Sequence, residues 1–137
     1  MSKLDEIGIR VAEDETGDSR GNARALLHEI ATLLQQLLDK GETGVVDLRS
    51  IPLSAEDYHY LEQVLGEGEV SATLEALGSS RVRETAIPGV WWIIHHDSGG
   101  EMMAELIEVT TIPAILRSDP VDISDGIATL QERLVRE

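Results

Sequence analysis

The chain has 137 residues, 42% of them hydrophobic and 27% charged, a balance that suits one globular domain able to bury a core without disulfides or metal. Eleven Lys and Arg against 26 Asp and Glu leave a formal net charge of −15, which repels nucleic-acid phosphates and anionic lipid and excludes both as expected partners. There is no cysteine, so disulfides, thiolate nucleophiles and Cys-ligated zinc or iron–sulfur sites are excluded together.

Residues 1–18 are acid-rich, end in EDETGD, and carry only Leu4, Ile7, Ile9 and Val11 as apolar anchors. They read as a flexible leader, with a short edge strand over Ile7–Val11 as the only regular element to expect. No apolar run reaches the length of a signal peptide or of a membrane span, so a cytoplasmic protein is expected. Residues 19–137 read as a single domain. Ser19 to Lys40 is the strongest helix: Leu26, Leu27, Ile30, Leu33, Leu34, Leu37 and Leu38 recur at helical spacing. Ser19 or Asn22 suits its start, and Gly41 its end. The wide stripe is expected to pack on the protein's own sheet.

GVVDLRSIPL, from Gly44, reads as a short strand running into a loop. Ser54-Ala-Glu-Asp57 has the form of a capping box and opens a helix that stops at Gly66. In GEVSATLEAL, Val70, Ala72, Leu74 and Ala76 alternate with polar residues, as in a half-buried strand. Ser80 to Ala86 alternates again, and Pro88-Gly89 supplies a type II turn. VWWIIHH is a strand apolar on both faces, DSGG reverses the chain, and EMMAELIEV returns as its hairpin partner. Adjacent strand residues point to opposite faces, so one tryptophan belongs to the core and the other to the second face; which is which stays open. PAILR is a short turn at Pro113. Asp119-Pro120 then caps a last amphipathic helix through Ile123, Ile127, Leu130 and Leu134, weakened at Gly126. The expected fold class is α+β: an antiparallel sheet of about four strands with helices packed on it.

Few constellations carry chemistry. His95-His96-Asp97 invites a metal reading, but adjacent strand residues diverge, and His28 and His59 have no HExxH spacing. Ser71 lacks a nucleophile elbow. Gly66-Glu-Gly-Glu closes a helix instead of opening one, so it is no phosphate cradle. Asp119, Asp122 and Asp125 miss the calcium-loop register. An acid–base or metal-dependent hydrolase using His95 or His96 with Glu84 remains as an alternative, and a structural partner-binding module as another.

Two stretches are more specific. LGEGEVSATLE (65–75) and ETAIPGVWW (84–92), followed by EVTTIP (108–113), resemble the C-terminal region of the HupH/HyaF family of hydrogenase expression/formation proteins. The likeness runs from Ser54 to the C-terminus, and members of that family are typically longer. It implies a non-catalytic maturation factor for an uptake nickel–iron hydrogenase, a chaperone-like binder of its iron–sulfur small subunit acting with other hydrogenase accessory proteins. It brings no cofactor, no metal and no catalytic residue, and it leaves a homodimer open. The family pattern falls on Gly66, Gly68, Glu69, Val70, Ser71, Glu84, Thr85, Pro88, Gly89 and Trp91. All of these but Val70, with the neighbouring Trp92, are the expected partner-binding residues.

Overall fold

The leucine stripe forms helix α1, Gly21–Lys40, in a computed structural model that describes residues 20–136. The acidic leader with its edge strand, and Ser19 as a cap, lie outside the described residues. Asn22 does not cap the helix, because its side-chain amide donates instead to the Pro52 carbonyl at 2.7 Å. The cap comes from a distant residue: the Ala23 amide donates to Asp57 Oδ1 at 3.0 Å. At the other end Gly41 takes a left-handed φ of 70°, and its amide donates to the Leu37 carbonyl at 2.9 Å.

Strand β1, Gly44–Asp47, passes through a 3-10 turn at Leu48–Ser50 into helix α2, Ala55–Leu65. The capping box is formed: the Asp57 amide donates to Ser54 Oγ, and the Ser54 amide to Asp57 Oδ2, each at 3.0 Å. Asp57 therefore holds the first turns of both helices, one carboxylate oxygen to each, and is itself buried.

Strands β2 (Ser71–Glu75), β3 (Ser79–Glu84), β4 (Val90–His96) and β5 (Met102–Val109) follow. The sheet is antiparallel throughout, in the order β1-β5-β4-β3-β2. Among the described residues it has five strands, one more than expected, because the short GVVD segment pairs fully along β5. The register sets Trp92 opposite Ile107 and Val90 opposite Val109. These four join Val46, Leu26, Ile30, Leu61 and Leu65 in the main core beneath the helices. On the other face Trp91 and Ile93 cluster with Val82.

Helix α3, Pro120–Val135, starts as expected, with the Val121 amide donating to Asp119 Oδ1 at 2.8 Å. It does not pack on the sheet: every one of its residues is exposed. The chain reaches it through a 3-10 turn at Ala114–Leu116, whose Leu116 packs on the Val82–Trp91–Ile93 cluster. Among the described residues no helix is long and apolar enough to cross a membrane.

Candidate functional site

The two signature stretches meet at one end of the sheet. The Gly68 amide donates to the Glu84 carbonyl at 2.8 Å, and the Glu84 amide to the Val70 carbonyl at 2.8 Å. The Glu84 carboxylate turns back onto the same segment, where Oε1 accepts from the amides of Glu69 (3.1 Å) and Val70 (3.3 Å). Gly68 is where the two stretches touch: a Cβ there would lie 2.5 Å from the Thr85 carbonyl oxygen and 2.7 Å from Glu84 Oε1. The Ala86 amide donates to the Leu65 carbonyl at 2.7 Å and closes the junction against α2.

Thr85 is buried and organises the following turn. Its hydroxyl donates to the Val90 carbonyl at 2.9 Å and accepts from the Ile87 amide at 3.2 Å. The Val90 amide donates to the Ile87 carbonyl at 3.0 Å, closing a turn that needs positive φ at Gly89, observed at 93°. Gly89 also runs close under α1: a Cβ there would sit 3.0 Å from Leu34 Cδ2.

This construction leaves a groove of about 620 Å³ between the C-terminal half of α1 and the turn before β4. Leu34, Leu37, Leu38, Glu84, Pro88, Gly89, Trp91 and Thr111 line it. Trp91 belongs to its wall and is 6% exposed, its indole nitrogen donating to the Thr110 carbonyl at 3.1 Å. Leu38, at the edge, is 81% exposed. The groove thus has apolar walls, with Glu84 in its lining and the exposed Glu67 and Glu69 on the loop that Glu84 holds. Apolar grooves of this kind accept a complementary apolar segment, and acids near the edge favour one with basic flanks.

Of the expected residues, Gly66, Gly68, Glu69, Glu84, Thr85, Pro88, Gly89 and Trp91 come together here. Ser71 is exposed on β2, on the helix-side face of the sheet opposite Arg83. Trp92 is buried in the core and reaches no surface. Leu34, Leu37, Leu38 and Thr111 were not singled out by sequence. The signal for the leucines was the width of the α1 stripe, more apolar residues than one sheet face covers.

His95 and Glu84, paired in the hydrolase alternative, are not brought together. Both lie on the second face, but the register sets His95 opposite Ser80 and Glu84 opposite Trp91. Four residues of strand β3 separate those positions, roughly 13 Å. Ser80 Oγ and His95 Nδ1 lie 2.7 Å apart, so His95 has a local partner. His96 points to the other face, and its Nδ1 is buried with no hydrogen bond. Among the described residues no group of three or more His, Asp or Glu is placed to hold a metal ion.

A second polar centre was not foreseen. Glu105 sits on β5 in register with inward-facing Ile107 and Val109 and is buried. Trp92 Nε1 donates to Glu105 Oε2 at 2.8 Å, and the Tyr58 hydroxyl donates to Glu105 Oε1. Burial, and then the hydrogen bond and negative charge of Glu105, push the Tyr58 hydroxyl well above its ordinary pKa. The Tyr58 ring leans on Trp92, with centroids 6.2 Å apart, and the Arg83 guanidinium lies 4.9 Å from the Trp92 ring centre. The inward position of a glutamate between apolar residues in AELIEV was the signal available in the sequence. Glu108, facing the other way, is raised above the usual carboxylate range by burial, a shift that His95 opposes.

The model of the HupH hydrogenase expression protein C-terminal conserved region matches residues 21–136. The hydrogenase expression/formation protein HupQ of Azotobacter chroococcum mcd 1 is 35% identical over 113 residues, 81% of this chain and 40% of that protein. HupH of Rhodobacter capsulatus is 32% identical over 108 residues, 74% of this chain and 39% of its own. The solved structure of the hydrogenase expression protein HupH from Thiobacillus denitrificans ATCC 25259 superposes with a TM-score of 0.82 at 43% identity, covering 85% of this chain and 98% of that one. The chain spans about two fifths of the length of the curated relatives it matches.

Proposed function

The chain belongs to the HupH hydrogenase expression protein family, and we propose that it is an accessory factor in hydrogenase maturation that holds a segment of the iron–sulfur small subunit in the Trp91 groove. The observation that carries this reading is that residues bearing the family likeness build the wall of an apolar groove of about 620 Å³ and clamp the acidic loop next to it. Glu84, Thr85, Gly68 and the buried Trp91 act there as scaffold and wall, while Leu38, Pro88 and the half-buried Leu34 and Leu37 supply contact surface. With no cysteine in the chain, the factor acts by binding its client and not by holding the cluster through thiolates. The net charge of −15 attracts a basic client segment from a distance.

Co-purification of the tagged chain with the hydrogenase small subunit tests this. Leu38→Glu is the variant of choice, because Leu38 is exposed and its replacement leaves the core intact. Capture by the wild type that is lost in Leu38→Glu supports the reading. Equal capture by both removes the groove from it.

A further inference from the structure

Helix α3 carries Ile123, Ile127, Leu130 and Leu134 at spacings of four, three and four, a continuous apolar seam, and all four are exposed. Its acids Asp122, Asp125 and Glu132 lie off that seam, and Ser124, Gly126 and Gln131 flank it without charge. Its basic residues are at the C-terminal end. Arg136 pairs with Glu132 at 3.1 Å, whereas among the described residues no ion pair is formed by Arg133, which borders the seam. Among the described residues, the same chain therefore presents an apolar seam edged by Arg133 and, on its body, an apolar groove lined in part by Glu84 with Glu67 and Glu69 nearby.

We propose that α3 of a second copy of this chain seats in the Trp91 groove, and that the exchange is reciprocal. The seam meets Leu34, Leu37, Leu38 and Trp91, and Arg133 faces the acids around Glu84. Area decides in favour of reciprocity. A helix of 16 residues is roughly 24 Å long and about 10 Å across, so one seated helix buries on the order of 500 Å², counting both surfaces. That is too little for a specific pair. Two helices exchanged about a two-fold axis bury on the order of 1,000 Å², where specific interfaces begin. A modest interface of this size gives a dimer that a client can displace, so the exchange regulates access to the groove.

The inference concerns the groove assigned above to the client, but self-association is measured with no client present, so the two readings fail separately. Light scattering and sedimentation of the full chain are expected to show a concentration-dependent dimer. Leu130→Asp on the seam and Leu38→Asp in the groove are each expected to weaken it by roughly tenfold or more. The chain lacks cysteine, so position can be read directly: a mixture of Leu38→Cys and Leu130→Cys chains is expected to form a disulfide-linked dimer faster than Leu38→Cys mixed with Glu132→Cys, whose position faces away. A strict monomer at high concentration overturns the proposal. So does a dimer that neither Asp variant weakens, or cross-linking no faster through Leu130→Cys than through Glu132→Cys.

Discussion

Glu105→Ala is predicted to cost about 3 kcal/mol of stability. Two donors lose their acceptor, but not equally. Trp92 is 2% exposed, so its indole N–H stays buried and unpaired, worth about 2 kcal/mol. Tyr58 borders a pocket of about 470 Å³ lined by Leu48, Arg49, Ile51 and Met102, where water replaces the lost acceptor, so its share falls to roughly 0.5 kcal/mol. The space left by the side chain adds roughly 1 to 2 kcal/mol, and relief from holding a carboxylate in a buried site offsets part of the total. Glu105→Gln keeps the volume and one acceptor but turns an NH₂ toward the other donor, for about 1 to 2 kcal/mol. Urea unfolding followed by tryptophan emission measures this directly, because both tryptophans lie in the two clusters of the sheet. For a domain of this size the Ala variant corresponds to a fall in Tm of about 10 °C. A loss under about 1 kcal/mol for Ala, or a Gln variant weaker than Ala, refutes Glu105 as the acceptor holding Trp92 in place.

Gly68→Ala drives a Cβ against the Thr85 carbonyl, 2.5 Å away, and is expected to cost about 2 kcal/mol and to loosen the acidic loop, measured by amide hydrogen exchange at Glu69 and Val70. Asp57→Ala removes a buried carboxylate shared by two helix starts; about 2 to 3 kcal/mol is expected in denaturant unfolding, with increased exchange in the first turns of both α1 and α2. The raised pKa of Tyr58 means the folded state favours the protonated phenol. Its contribution is fully present below the unfolded value of 10.0 and is lost as pH rises above it, so stability falls in alkali more steeply for wild type than for Tyr58→Phe. The difference in phenolate absorbance between those two proteins is expected to develop only above the ordinary tyrosine range.

What was legible in the sequence was local. The α1 stripe, the Ser54–Asp57 box, the Pro88-Gly89 turn and the β4–β5 hairpin each depend on residues within a few positions of one another, and each stands where its pattern set it. Non-local facts escaped. Asp57 caps α1 across 34 residues of chain, and no pattern within α1 announces it. Which tryptophan lies under the helices depends on which sheet face α1 and α2 cover, and alternation is silent on that. Helix α3 has a sound cap and a sound apolar stripe, yet neither says whether a partner surface remains once Leu116 has settled on the second face. At the candidate site the likeness to the family marked the scaffold residues of the wall, while the α1 leucines that complete the groove were absorbed into the core reading.

The Trp91 groove is proposed above as a client-binding surface. Capture of the hydrogenase small subunit by the tagged chain, wild type beside Leu38→Glu, tests it most directly, with unfolding curves run on both proteins. Matching stability, strong capture by the wild type, and capture reduced roughly tenfold or more in the variant are expected. Equal capture by two equally stable proteins contradicts it.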